Sequence, residues 1–233
     1  MGVATSTSTQ RVQRFPQPSK KRPMRIRPAL LLALLPLAGC ALVKPPGPKA
    51  VLPHVDDQWR ILATDDDRER LRDWRDSFVA ALDDARKSGR GADITREGVL
   101  LDPDAALPGV ALPAGEYRCR WVKLAGEDSR QPRYVSYAPQ PCRVGPGDKA
   151  MTFQFLAGPQ RPVGRILPET YNRMVFLGTL QIGDESGTIR YGDDKQRDMA
   201  GFVERIGPRR WRIILPEPHF ESQMDAIEVA TEK

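Results

Sequence analysis

From Gly115 onward the chain breaks into short apolar-rich runs separated by Gly, Pro and Asp, and that spacing admits few folds. The runs cover 116–124, 133–138, 150–156, 162–167, 172–181, 187–191, 200–206 and 209–215, with a last one near 225–230. Short strands at near-regular intervals point to an antiparallel barrel or sandwich. In the first run Tyr117, Cys119 and Trp121 share one face, while Arg118 and Arg120 mark the other. Residues 174–180 are apolar on both faces, as in a strand covered on both sides. Gly183–Gly187 and Gly207-Pro208 have the composition of hairpin turns.

One helix precedes the strands. Thr64 is the expected N-cap, and Asp65, Asp66 and Asp67 face the positive end of the helix dipole. Leu71, Trp74, Phe78, Leu82 and Ala85 follow at helical spacing and read as core packing. Ser88-Gly89 or Gly91 supplies the stop. A short second helix is expected within 92–101. The resulting fold class is mainly β with an N-terminal helix (α+β). It is an antiparallel barrel of about eight strands with one long amphipathic helix packed outside.

The N-terminal region carries a different signal. Arg25 and Arg27 lead into an apolar run of nine residues, Ala29 to Leu37, and then into Ala38-Gly39-Cys40. That is the layout of a secretory signal. The run falls short of the roughly 20 residues that cross a bilayer. The segment resembles a bacterial lipoprotein signal, which implies a lipid on Cys40 and cleavage before it. Ala41, where an inner-membrane retention signal would carry Asp, implies an outer membrane lipoprotein facing the periplasm. The expected organisation is therefore an extension of the gene model over 1–23, a signal peptide over 24–39, and a lipidated Pro-rich tether over 40–53. One globular domain follows over 54–233.

Charge follows the same division. The chain has 36 basic and 30 acidic residues. Residues 1–39 hold seven of the basic ones and no acid, so the remainder has 29 against 30. A near-neutral domain makes little use of phosphate neutralisation, and nucleic acid is set aside as a partner. With Cys40 assigned to lipid, Cys119 and Cys142 remain as an even pair in an oxidising compartment. Their disulfide is expected to contribute roughly 3 kcal/mol by restricting the unfolded chain.

Catalytic signatures are sparse. His54 lies at the end of the tether and His219 past the last long run, neither with a histidine partner at helical or hairpin spacing. No nucleophile elbow or phosphate-binding loop is present. Neither a metal nor a cofactor is expected. Asp193, Asp194 and Asp198, interleaved with Lys195 and Arg197, read as a solvated loop. Arg209-Arg210-Trp211-Arg212 reads as arginines paired with acids around an inward Trp, with anion binding as the other reading. A hydrolase would need two acids facing each other across a cleft, drawn from Glu169, Asp184, Glu185, Asp198 and Glu204, or else His219.

Several dense motifs recur along the C-terminal two-thirds: Tyr117-Arg118-Cys119-Arg120, Gln160-Arg161-Pro162-Val163-Gly164, Arg173 to Thr179, Arg197-Asp198-Met199-Ala200-Gly201 and Arg210-Trp211-Arg212. With the 65–88 helix they resemble the lipoprotein family called domain of unknown function 4893, over about residues 57–230. The resemblance implies a cell-envelope lipoprotein and carries no activity. A fold-level likeness to calycin-type barrels, including periplasmic inhibitors of metalloproteases and of lysozyme, offers an inhibitor as one alternative and a periplasmic hydrolase as another. The reading that follows is a non-enzymatic binding or interaction module. Its expected partners are the membrane, through Cys40, and a periplasmic protein or a small apolar ligand.

Overall fold

Alternation along the first strand organises the molecule. In the computed structural model, which describes residues 57–231 apart from 127, 129, 148 and 220, β1 (Gly115–Leu124) turns Tyr117, Cys119 and Trp121 into one apolar cluster. Its Val122 and Leu124 enter a second cluster on the opposite face. Successive side chains of a strand point to opposite sides of the sheet, so one strand serves two cores. Cys40, His54 and the expected leader and tether lie outside the described residues.

The remaining strands are β2 (Tyr134–Ser136), β3 (Gln140–Gly145), β4 (Met151–Phe155), β5 (Gln160–Pro168), β6 (Arg173–Ile182), β7 (Asp198–Gly207), β8 (Arg210–Pro216) and β9 (Met224–Ala230). From β3 to β9 each pairs antiparallel with the next, and β3 also pairs with the first half of β1. β9 returns to β1 with Trp121 opposite Ile227, which closes an eight-stranded antiparallel barrel. β2 is a short extra strand on the last residues of β1. Closure removes the free edges that invite aggregation.

The barrel interior is filled. Phe153 and Phe176 are fully buried and meet edge to face at 5.7 Å. Cys119 and Cys142 are joined there in a disulfide with Cα atoms 5.8 Å apart, both completely buried. Gly164 and Gly178 oppose each other between β5 and β6, with the Phe176 ring over them.

Two strand expectations are corrected. Residues 187–191 form no strand: they belong to the β6–β7 loop, where Tyr191 turns towards the helices. Gly183 does begin a turn, with φ +60°, but the turn opens this long loop and not a two-strand hairpin. Conversely, β3 joins the strand series: Pro141-Cys142-Arg143-Val144 is strand-like in the sequence, as the structure bears out, and Pro139 and Pro141 mask where the strand begins. The Gly207-Pro208 hairpin is present between β7 and β8.

The helices cover one side of the barrel. Thr64 caps as expected, accepting from Asp67 N at 3.2 Å. The single long helix is corrected to two, α2 (Asp65–Arg72) and α3 (Trp74–Ala85), preceded by α1 (Gln58–Leu62) and followed by α4 (Gly91–Glu97). Asp73 breaks the helix at φ −95°, ψ 8°; its carbonyl accepts from Asp76 and Ser77, and its carboxylate takes the Arg72 guanidinium. The break lets α2 follow β7 while α3 follows β8, β1 and β9 round the curved wall. Gly89, at φ +87°, ends α3 in a conformation that favours glycine. Phe78 is fully buried, and Trp74 packs edge to face on Phe202. No helix among the described residues is long and apolar enough to cross a membrane.

Candidate ligand site at the barrel mouth

The β1 C-terminus, the β4–β5 turn, the end of β6 and the loop between β8 and β9 converge at one end of the barrel. They enclose a cavity of about 520 Å³, lined by Trp121, Tyr137, Phe155, Gln160, Ile182 and Glu221 among others. The inward alternation of β1 and β4 carries Trp121 and Phe155 there, with ring centroids 6.0 Å apart. Tyr137 stands at the rim, 45% exposed. A concavity of this size with aromatic walls and few polar groups has the character of a small-molecule site.

Polar groups gather beneath the aromatic wall. Lys123 and Asp225 are register partners of β1 and β9, and both are buried. Lys123 Nζ lies 3.8 Å from Asp225 Oδ2, 3.4 Å from Glu221 Oε2 and 4.7 Å from the centre of the Trp121 ring. The Ser222 hydroxyl donates to Asp225 Oδ1 at 2.6 Å. Trp121 Nε1 faces the Asp225 carboxylate without reaching hydrogen-bond geometry, and neither it nor Asp225 Oδ2 has a hydrogen-bond partner.

Burial pushes the Asp225 carboxyl up to about 6, against the opposing pulls of Lys123, Ser222 and Trp121. The folded protein then holds this proton more tightly than the unfolded chain, whose aspartate titrates near 3.8. The group's contribution to stability is full below that value and is lost as pH rises through about 6. The loss is on the order of 3 kcal/mol. Urea unfolding of wild type and Asp225→Asn should show the wild type losing ground to the variant between pH 4 and 7. A wild type that gains ground with rising pH would mean that attraction to Lys123 outweighs burial.

The acids singled out in the sequence do not assemble into a catalytic cleft. Glu204 lies on the outer wall beneath α3, completely buried, with Arg212 at 2.7 Å and Arg173 at 2.5 Å. Asp184 is exposed in a turn. Glu185 is held by Arg197 at 2.6 Å, and Glu169 lies 3.8 Å from Arg60. Asp193 and Asp194 pair with Arg190 and Arg197 in the loop, as a charge-mixed segment should. Asp198 is corrected: it is only 3% exposed, its Oδ1 accepts from Gly192 N at 2.9 Å, and burial raises its pKa. Its place at the start of β7, under the helix layer, takes it out of the solvated loop.

His219 is exposed at the rim, where it borders a cavity of about 10 Å³ together with Asp198 and Asp225. That space holds about one water molecule and no substrate. Among the described residues, no group of three or more His, Cys, Asp or Glu has an arrangement that could hold a metal ion.

The arginine-rich strand pairs with acids. Arg210 meets Glu228, Arg212 meets Glu204, and Trp211 points inward to Tyr117, its Nε1 donating to the Val110 and Ala111 carbonyls. On β1 the outer face is helix-covered at Arg120, which bonds Glu97 at 2.5 Å and Glu228 at 2.8 Å. A hollow of about 600 Å³ lies at the opposite barrel end. Its aromatic polar atoms are already satisfied, Tyr117 by the Pro113 carbonyl and Trp211 as above.

Sequence reasoning missed Lys123, Glu221 and Asp225. A signal existed for the first: Lys123 continues the inward file of Tyr117, Cys119 and Trp121, and a cation in such a file is an anomaly.

Comparison with known proteins adds one match. The family model described as "Domain of unknown function (DUF4893)" matches residues 59–229. No curated protein and no solved structure matches.

Proposed function

The chain belongs to the DUF4893 family, and from that premise we propose that it is a cell-envelope lipoprotein whose barrel mouth binds an apolar ligand. The observation that carries the binding half is the aromatic-lined cavity of about 520 Å³ above a filled barrel interior. With the interior packed, concave apolar surface is left at the barrel ends, and the mouth combines it with an indole donor that has no hydrogen-bond partner, whereas the aromatic donors of the opposite hollow are satisfied. The fully buried Cys119–Cys142 disulfide suits an oxidising compartment. The leader ending at Cys40 supports anchoring to the outer membrane on the periplasmic side. Several acyl chains, at about 0.8 kcal/mol per buried CH₂, would hold the protein firmly. A binding role also agrees with the state of Glu204, a fully buried acid that is spent on two arginines.

Each half has its own test. Cys40→Ser is expected to leave the protein soluble or unprocessed on fractionation; a variant still cleaved at the same place and still sedimenting with membranes would rule out the lipid. Decanol binding, followed by tryptophan fluorescence, tests the mouth. Ala138 lines the cavity and is exposed. Ala138→Trp should therefore weaken decanol at least tenfold without changing the unfolding midpoint. Unaltered decanol affinity in that variant would place the apolar site elsewhere.

A further inference from the structure

The groups under the mouth specify the head of the ligand as well as its body. We propose that the cavity takes an apolar monocarboxylate, whose carboxylate replaces that of Glu221 on Lys123 while its hydrocarbon lies among Trp121, Tyr137 and Phe155. The proposal rests on reading the mouth as the ligand site.

Lys123 is the fixed partner. It sits within a barrel strand, 4% exposed, where a cation must keep an anion beside it. Glu221 is the exchangeable one. It belongs to the loop between β8 and β9 and lines the cavity, its side chain is 47% exposed, and its carboxylate lies 3.4 Å from Lys123 Nζ. One carboxylate leaving as another arrives keeps Lys123 paired throughout and places no new uncompensated charge in the barrel.

The neighbouring donor points the same way. Trp121 is 6% exposed, and its Nε1 has no hydrogen-bond partner. Trp121 is a wall residue of the cavity, so its Nε1 is a second donor near the Glu221 carboxylate that Lys123 holds. An ammonium head would lie against Lys123 and be repelled by it. A hydroxyl head brings no charge in exchange for the Glu221 carboxylate and would leave Asp225 as the anion beside Lys123. Gln160, with an amide that can donate and accept, stands on the same wall for the rest of the molecule.

Calorimetry on the full chain carrying Cys40→Ser, so that its own acyl chains do not compete, tests this with decanoate, decanol and decylamine. Decanoate is expected to bind at least tenfold more tightly than either of the others. Lys123→Gln should erase that preference. Glu221→Gln, which removes the resident competitor from an exposed loop position, should raise the preference for decanoate over decanol at least threefold. Decanoate and decanol binding alike in wild type and in Glu221→Gln would overturn the carboxylate head while leaving the apolar mouth intact. A preference for decylamine would overturn it too. Binding of none of the three would remove the mouth as a ligand site altogether.

Discussion

Glu204→Ala should cost about 3–5 kcal/mol of folding stability, a large share of the roughly 5–15 kcal/mol that holds an ordinary protein folded. Glu204 and Arg212 are both completely buried and joined by two hydrogen bonds, 2.7 and 2.9 Å long. Arg212 also donates to the carbonyls of Val99, Leu100 and Asp102, which end the helical segment. Arg173 bonds the second Glu204 oxygen at 2.5 Å and stacks on Trp74 at 4.2 Å. Removing the carboxylate leaves one buried and one half-buried guanidinium without their anion, beneath α3. Replacing both partners, as in Glu204→Leu with Arg212→Met, should cost less than Glu204→Ala alone, because no charge is then stranded. Urea unfolding of the three proteins checks the order. A Glu204→Ala midpoint equal to wild type would show that the network contributes nothing.

Gly178→Ala is expected to be nearly as damaging, at about 3 kcal/mol or more, the upper range for an overpacked core. An added Cβ would lie 2.4 Å from the Val163 carbonyl oxygen and 2.9 Å from Gly164 Cα. Both are backbone atoms of β5 and cannot rotate away. The nearest side-chain atom, Phe176 Cζ at 2.5 Å, belongs to a ring wedged against Phe153. The strands must separate or the ring must leave the core. Gly183→Ala makes a useful contrast: nothing lies within 4 Å of its Cβ position, so any loss there comes from its φ of +60° alone. Calorimetric melting of both variants separates contact from conformation. A Gly178→Ala protein that melts within a degree of wild type would mean that β5 and β6 can part at no cost.

Much of the architecture was legible locally. Alternation placed Tyr117, Cys119 and Trp121 inward because a strand's side chains alternate whatever the strand pairs with. Thr64 marked its helix start because capping needs only residues within one turn. The disulfide was readable because Cys119 and Cys142 both sit in strand-like runs, while Cys40 ends the leader-like segment. Legibility failed where short-range and long-range demands disagree. Ser186-Gly187 and Thr188-Ile189 have strand-like surroundings, yet Tyr191 is drawn off to Thr64 and Asp67. Asp73 looked like one more polar residue on a helix face, yet it breaks the helix where the barrel wall curves.

The sequence by itself determined the antiparallel β character, the helix cap, the inward cysteines and the family, since these depend on residue order over a few positions. Only tertiary closure brought Lys123 to Asp225 and Glu221, because β9 meets β1 from roughly a hundred residues away. It also decided that the barrel would be filled and its mouth left hollow. Whether facing side chains meet or leave a gap depends on the volumes converging from several strands, a quantity that no single stretch of chain contains.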